Sequence, residues 1–158
     1  MASAGMATAV SSERTQQVNE RVAVGKMVAA ARMHAGARWF YWIAGLSMIN
    51  SIIVATGGGL HFVVGLGITS VVDAAAKRLG SAGTILDVVI NGFIAGVFAV
   101  FGMFAGKAQK WAFIVGMALY SADGLLLLSA KDFLGAGFHA YALFAIYRGY
   151  QAAQQVHV

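Results

Sequence analysis

Long apolar runs alternate along the chain with short groups of charged residues, a segmentation that favours several membrane spans over one large core. The first run, residues 39–56, opens with Trp39-Phe40-Tyr41-Trp42, an aromatic belt beside basic residues. Gly57-Gly58-Gly59 reads as a tight, uncharged turn into a shorter run, 60–76, closed by Lys77-Arg78. A loop at 80–83 leads to the third run, 84–105, which is followed by Gly106-Lys107-Ala108-Gln109-Lys110. The last two runs, 111–129 and 133–149, fold back on each other across Ser129-Ala130-Lys131-Asp132. The expected fold is therefore all-α: an integral membrane helical bundle of five transmembrane helices. The alternative is four, if 60–76 only dips into the bilayer.

Ahead of the first run, residues 1–12 are small and weakly polar and are expected to be disordered. Residues 13–38 are helix-compatible and basic, with Arg14, Arg21, Lys26, Arg32 and Arg38 set against Glu13 and Glu20. Arg14, Arg21 and Arg32 share one helical face, which suits a solvated or lipid-surface helix running into the first span; a partner-binding helix is the other reading. Residues 39–150 form the bundle and 151–158 a polar tail. With a cytoplasmic N-terminus and five spans, the inner side holds Arg14, Arg21, Lys26, Arg32, Arg38, Lys77, Arg78 and Lys131, and the outer side Lys107, Lys110 and Arg148. With four spans, Lys77, Arg78 and Lys131 trade places with those last three, and the balance is again eight to three. Charge thus sets the N-terminus inside, in a bacterial inner membrane, and leaves the span number open. Length favours five.

Composition sharpens this picture. Of 158 residues, 59% are hydrophobic and 11% charged, whereas about a quarter of a soluble domain is charged. One domain is expected. No proline forces a helix break, and twenty glycines fit close helix–helix approach. The absence of cysteine excludes disulfides, thiolate metal sites and cysteine catalysis. The net charge of +5 lies mostly outside the runs, so orientation and anionic lipids explain it better than nucleic acid. No secretory signal pattern precedes the first run.

Two ionisable residues sit well inside apolar runs. Asp123 lies eight residues before Lys131 and His139 eight residues after it. In an antiparallel helical hairpin these equal offsets place both groups at one depth, roughly 12 Å from the turn. A mid-membrane carboxylate costs about 2.5–3.5 kcal/mol on insertion scales, so Asp123 needs pairing, protonation or water. Asn91 matches that depth on the third run, and Asn50 and Tyr120 complete the candidate polar site. Ser47, Ser51, Thr69 and Ser70 offer further polar atoms. Asp73 is explained by an i,i+4 pair with Lys77, and Asp87 by its place in the first turns of a helix. The cluster reads either as a satisfied network that fixes helix register, or as a proton or solute site. A structural network should tolerate Asp123→Asn, since an amide still hydrogen-bonds, whereas a proton pathway should not. Gly92, Gly96, Ala99, Gly102 and Gly106 mark a helix-packing interface, with Gly92-x-x-x-Gly96 and Gly102-x-x-x-Gly106 both of the GxxxG kind; it serves packing within the chain or a homo-oligomer.

Other chemistries fall away. Retinal needs a lysine inside a span, and Lys77, Lys107, Lys110 and Lys131 all lie at ends. A bis-histidine haem needs two imidazoles at one depth, which His34, His61 and His139 do not offer within one subunit; an intersubunit site stays open. No HExxH, GxSxG or Walker pattern occurs, and Asp123 with His139 alone lacks ligands for a metal, so no cofactor is expected and an enzyme is disfavoured. The run Phe40-Tyr41-Trp42-Ile43-Ala44-Gly45-Leu46-Ser47, with Gly116-Met-Ala-Leu-Tyr120 and Gly137-Phe-His139, resembles a group of small uncharacterised bacterial polytopic membrane proteins. The resemblance spans 39–150 and implies the class, with no activity to transfer. The expected function is a self-associating or accessory assembly subunit. The alternative is a small proton or solute channel or transporter using Asp123, His139 and Asn91. The lipid bilayer, including anionic lipids, and a second copy or a larger membrane complex are the expected partners.

Overall fold

Four long helices carry the structure, a computed structural model that describes residues 2–55, 66–68 and 80–156, with side chains from residue 11 except at 54–55, 80–82 and 84–87. They are α1 (Ala2–Ala55), α2 (Gly80–Gly106), α3 (Lys110–Ser129) and α4 (Phe133–Val156). The all-α expectation holds. Val88–Gly106 of α2 and the whole of α3, 19 and 20 residues, are long and apolar enough to cross a membrane.

α1 corrects two expected boundaries. Residues 1–12 were expected to be disordered, yet the helix begins at Ala2, and it passes residue 38 without a break. Alanine recurs through its first turns, no proline interrupts it, and the Thr15 hydroxyl folds back onto the Ser11 carbonyl at 2.9 Å without disturbing the helix. At 54 residues the helix is about 81 Å long. Every described side chain from Ser11 to Val28 is exposed, and burial begins at Ala29. α1 is therefore an arm for roughly its first half and a bundle helix for the rest.

The α2–α3 and α3–α4 turns share one geometry. In each, an N–H five residues on bonds the carbonyl of the last helical turn (Gln109 to Phe104, 3.1 Å; Asp132 to Leu127, 2.9 Å) and the preceding residue bonds three back (Ala108 to Ala105, 3.0 Å; Lys131 to Leu128, 3.0 Å). This is the Schellman arrangement, and it puts Ala108 (φ 59°) and Lys131 (φ 63°) in the left-handed region. Asp132 then caps α4 by accepting the Gly135 N–H at 2.9 Å.

Side-chain contacts fix the helix directions. Along α1, His34 lies beside Gly106, Phe40 beside Phe98 and Phe101, and Ser51 beside Asn91, so α2 runs antiparallel to α1. Trp39 meets Phe138 and Tyr141 while Gly36 meets Gly149, so α4 is antiparallel as well. α3 lies across the bundle from α1, with the Phe40 ring between them against Phe113 and Gly116. Two ends result. A basic end carries the arm, the α2–α3 turn and the C-terminal part of α4; the opposite end carries Ala55, the start of α2 and the α3–α4 turn. Five spans require α2 to run in the same direction as the bundle half of α1. The observed antiparallel pairing instead matches the four-helix alternative, because residues 55 and 80 lie at the same end.

Phe40 is the hub of the core, fully buried among Phe98, Phe101 and Phe113 at centroid distances of 6.1–6.4 Å. It therefore leaves the expected aromatic belt, of which Tyr41 and Trp42 remain exposed. Small residues set the helix spacing. A Cβ on Gly36 would lie 2.5 Å from the Gly149 Cα, so α1 and α4 touch backbone to backbone. The outer surface is apolar, with Phe93, Leu125, Phe133 and Leu134 each more than 60% exposed.

Candidate functional site

Burial of polar groups in an apolar bundle demands partners, and here the partners converge on Asp123. Asp123 sits six residues before the end of α3 and His139 six residues after the start of α4. The α3–α4 turn brings them level, roughly 9 Å from the opposite end at the helical rise. His139 Nε2 lies 2.8 Å from Asp123 Oδ2, with His139 1% and Asp123 5% exposed. Gly124 makes the approach possible, since a Cβ there would crowd the His139 Cβ at 3.2 Å.

Three consecutive residues, Leu66 to Ile68, supply the rest. The Gly67 N–H donates to Asp123 Oδ2 and the Ile68 N–H to Oδ1, each at 2.7 Å. The Leu66 N–H donates to the Ser47 hydroxyl at 3.0 Å, and that hydroxyl in turn donates to the Ile43 carbonyl at 2.8 Å. Leu66 is non-helical and Gly67–Ile68 helical, so these N–H groups stand at a helix start, where side-chain oxygens take the place of carbonyls one turn back. A carboxylate from another helix caps them, the arrangement favoured by both hydrogen bonding and the helix dipole. Gly67 fits because it lacks a side chain: a Cβ there would sit 2.8 Å from Leu127 Cδ2.

The bonding also places the protons. His139 Nδ1 faces the Gly135 carbonyl at 2.9 Å. A carbonyl only accepts, so Nδ1 carries a hydrogen and donates it. One further proton is shared along the Nε2···Oδ2 axis. With that proton counted, the pair as a whole carries no net charge. The Tyr120 ring stacks on the imidazole at 4.0 Å between centroids and 17° between planes. Its hydroxyl has no hydrogen-bond partner among the described residues.

The other candidates distribute as follows. The Asn91 side-chain nitrogen donates to Ser51 Oγ at 2.9 Å, so Asn91 ties α2 to α1. Asn50 is buried at 2% exposure beside Ser51 on α1. Asp73, Thr69 and Ser70 lie outside the described residues, as do the 57–59 turn and His61. Asp87 is on α2, and its side chain is outside the described set. Of the glycine interface, Gly102 packs on the Tyr41 ring and Gly106 faces His34, both on α1, whereas Gly92 and Gly96 have nothing within 4 Å of a Cβ position. Between α2 and α3 an apolar crevice of about 340 Å³ runs from Phe93 and Val97 to Ile68 and the edge of Asp123.

Sequence reading missed Leu66, Gly67 and Ile68, because they act through backbone N–H groups that nearly every residue type possesses. The doublet of glycines at 65 and 67 within a short apolar run was the one available signal. Comparison with protein-family models, with curated proteins and with solved structures finds no match.

Proposed function

We propose that the chain is a small integral membrane protein that crosses the bilayer four times and self-associates, as an assembly subunit bearing a basic helical arm on the cytoplasmic side. The apolar outer surface and the two membrane-length helices support the membrane setting. Eight basic residues gather at the arm end: Arg14, Arg21, Lys26, Arg32, Arg38, Lys107, Lys110 and Arg148. This asymmetry supports a cytoplasmic location for both termini.

One observation carries the self-association reading, the outward face of α2. Gly92 and Gly96 stand one turn apart and, among the described residues, have nothing within 4 Å of a Cβ position, flanked by exposed Val89, Phe93 and Val100. Glycine marks close contact at Gly36, Gly102, Gly116 and Gly149; Gly45 and Gly137 also have open space but stand singly, whereas Gly92 and Gly96 form a pair on one face. A glycine facing lipid alone weakens its helix by about 0.5–1 kcal/mol relative to alanine, with no packing in return. A shallow groove with apolar ridges is the surface that a second α2 fits.

The bonding at Asp123 favours a structural role over proton conduction. Both carboxylate oxygens are engaged, His139 is bonded through both ring nitrogens, and the pair is enclosed by Tyr120 and Gly124. Light scattering of the purified protein in detergent tests self-association. The wild type is expected at a multiple of its 16.5 kDa chain mass, and Gly96→Leu at a single chain with unchanged helix content. The variant is a clean probe because a Cβ at 96 meets nothing within 4 Å among the described residues. A single-chain wild type, or a variant of unchanged mass, would remove this interface.

A further inference from the structure

At the root of the arm, on the side away from α2, the crossing of α1 and α4 leaves a charged pit. Backbone contact at Gly36 and Gly149 and the small side chains of Ala35 and Ala145 leave a hollow of about 230 Å³. Arg32 and Arg148, one from each helix, and Trp39 complete its walls. Both arginines are exposed, and among the described residues the one ion pair is His139 with Asp123, so neither has a carboxylate partner. Arg148 is held with its guanidinium 5.9 Å above the Phe144 ring.

Position along the bundle matters as much as charge. Below the pit, toward the apolar body, Trp39 packs edge-on against Tyr141 at 5.4 Å and against Phe138 at 6.2 Å. Above it, Lys26, Gln151 and Gln154 make the surface polar. The two arginines therefore stand where an aromatic row gives way to polar side chains, the level at which tryptophan and tyrosine meet lipid headgroups. Two cations facing one hollow without an acid repel each other, and an anion between them reverses that repulsion.

We infer that this pit binds the phosphate group of an anionic phospholipid, with Arg32 and Arg148 as a two-sided clamp and the acyl chains running down past Trp39 and Tyr141. The inference rests on the membrane setting proposed above. A guanidinium offers a planar fork of donors that matches phosphate oxygens, and basic hollows between helices on the cytoplasmic side suit anionic headgroups. The lipid tails distinguish this occupant from free phosphate, because the aromatic row lies directly below the clamp.

Native mass spectrometry of the purified protein in micelles containing phosphatidylglycerol and phosphatidylcholine tests the site. The wild type is expected to retain phosphatidylglycerol in preference. Arg32→Gln and Arg148→Gln should each lower that preference about fivefold, the contribution of one basic residue at an anionic surface. Arg32→Lys, which keeps the charge without the fork, should fall between. Lys107→Gln, at the same end but on the α2–α3 turn, should change nothing; an equal loss there would mean diffuse surface charge and overturn the clamp. Displacement of the lipid by excess inorganic phosphate would also overturn it, naming the free ion as occupant. Equal retention of both lipids would sink the clamp and leave the membrane setting standing, whereas a folded protein retaining neither lipid would sink both.

Discussion

Asp123 is held by a backbone start, an imidazole and little else, so its substitutions can be read bond by bond. Asparagine at 123 keeps one acceptor oxygen for the Ile68 N–H, and its amide nitrogen can donate to a neutral His139 Nε2. The Gly67 N–H then faces a donor. One unmet buried donor costs about 1–3 kcal/mol, so the simple tolerance expected from an amide does not survive the geometry. Denaturant unfolding in detergent, followed by the three tryptophans, should show Asp123→Asn destabilised by that amount and Asp123→Ala by more, about 3–5 kcal/mol, because the imidazole and both N–H groups lose their acceptor. Wild-type stability in Asp123→Asn would mean that the Leu66–Ile68 contact contributes nothing. The pairing of Asp123 with His139 was legible in the sequence because helical rise and a tight turn convert equal offsets into equal depth. The role of Leu66–Ile68 was not legible, since a capped helix start depends on where the chain is brought and hardly on which side chains it bears.

Among the elements, the contact of α1 with α4 is the tightest, and it runs through Gly36 and Gly149. A methyl group at 149 would press on the Gly36 Cα at 2.6 Å and on the Phe113 ring at 3.2 Å, both in fixed positions. Gly149→Ala should therefore lower stability by about 1–3 kcal/mol, the usual cost of overpacking, seen as a lower melting temperature by circular dichroism. On the same helix Gly137 has open space at its Cβ position, and Gly137→Ala should raise stability by about 0.5–1 kcal/mol through helix propensity alone. A similar response at both positions would mean that the crossing is looser than described. Hydrophobic runs located α3 almost to the residue, as Lys110–Ser129 against 111–129. They cut α1 at 38 and α4 at 149, because hydropathy registers where the apolar face ends, while a helix of good propensity continues into water.

For the whole molecule, direction decides what hydropathy could not. Eight positive charges against three balanced equally for four and five spans, since the segments that flip carry three each. The antiparallel fit of α2 on α1, through Phe40, Ser51 and Asn91, puts residues 55 and 80 at one end, and this supports the proposed four crossings by the four long helices of the described residues. Such a bundle has a small interior, already filled by Phe40 and its neighbours, and a large apolar exterior. The proposed self-association uses the part of this exterior at Gly92 and Gly96 on α2, apart from Gly102 and Gly106, which face α1. Along the expected packing stripe from 92 to 106, Gly102 and Gly106 face Tyr41 and His34 on α1, whereas Gly92 and Gly96 have nothing within 4 Å among the described residues.

Disulfide cross-linking in membranes reports that surface directly, since the chain has no cysteine of its own. Phe93→Cys, on the outward face beside Gly92 and Gly96, is expected to give a covalent dimer on oxidation, because symmetry-related copies would meet there within bonding distance. Phe144→Cys, comparably exposed but on α4, is expected to remain a single chain. A dimer through Phe144 and none through Phe93, or equal yields at both, would contradict self-association through α2.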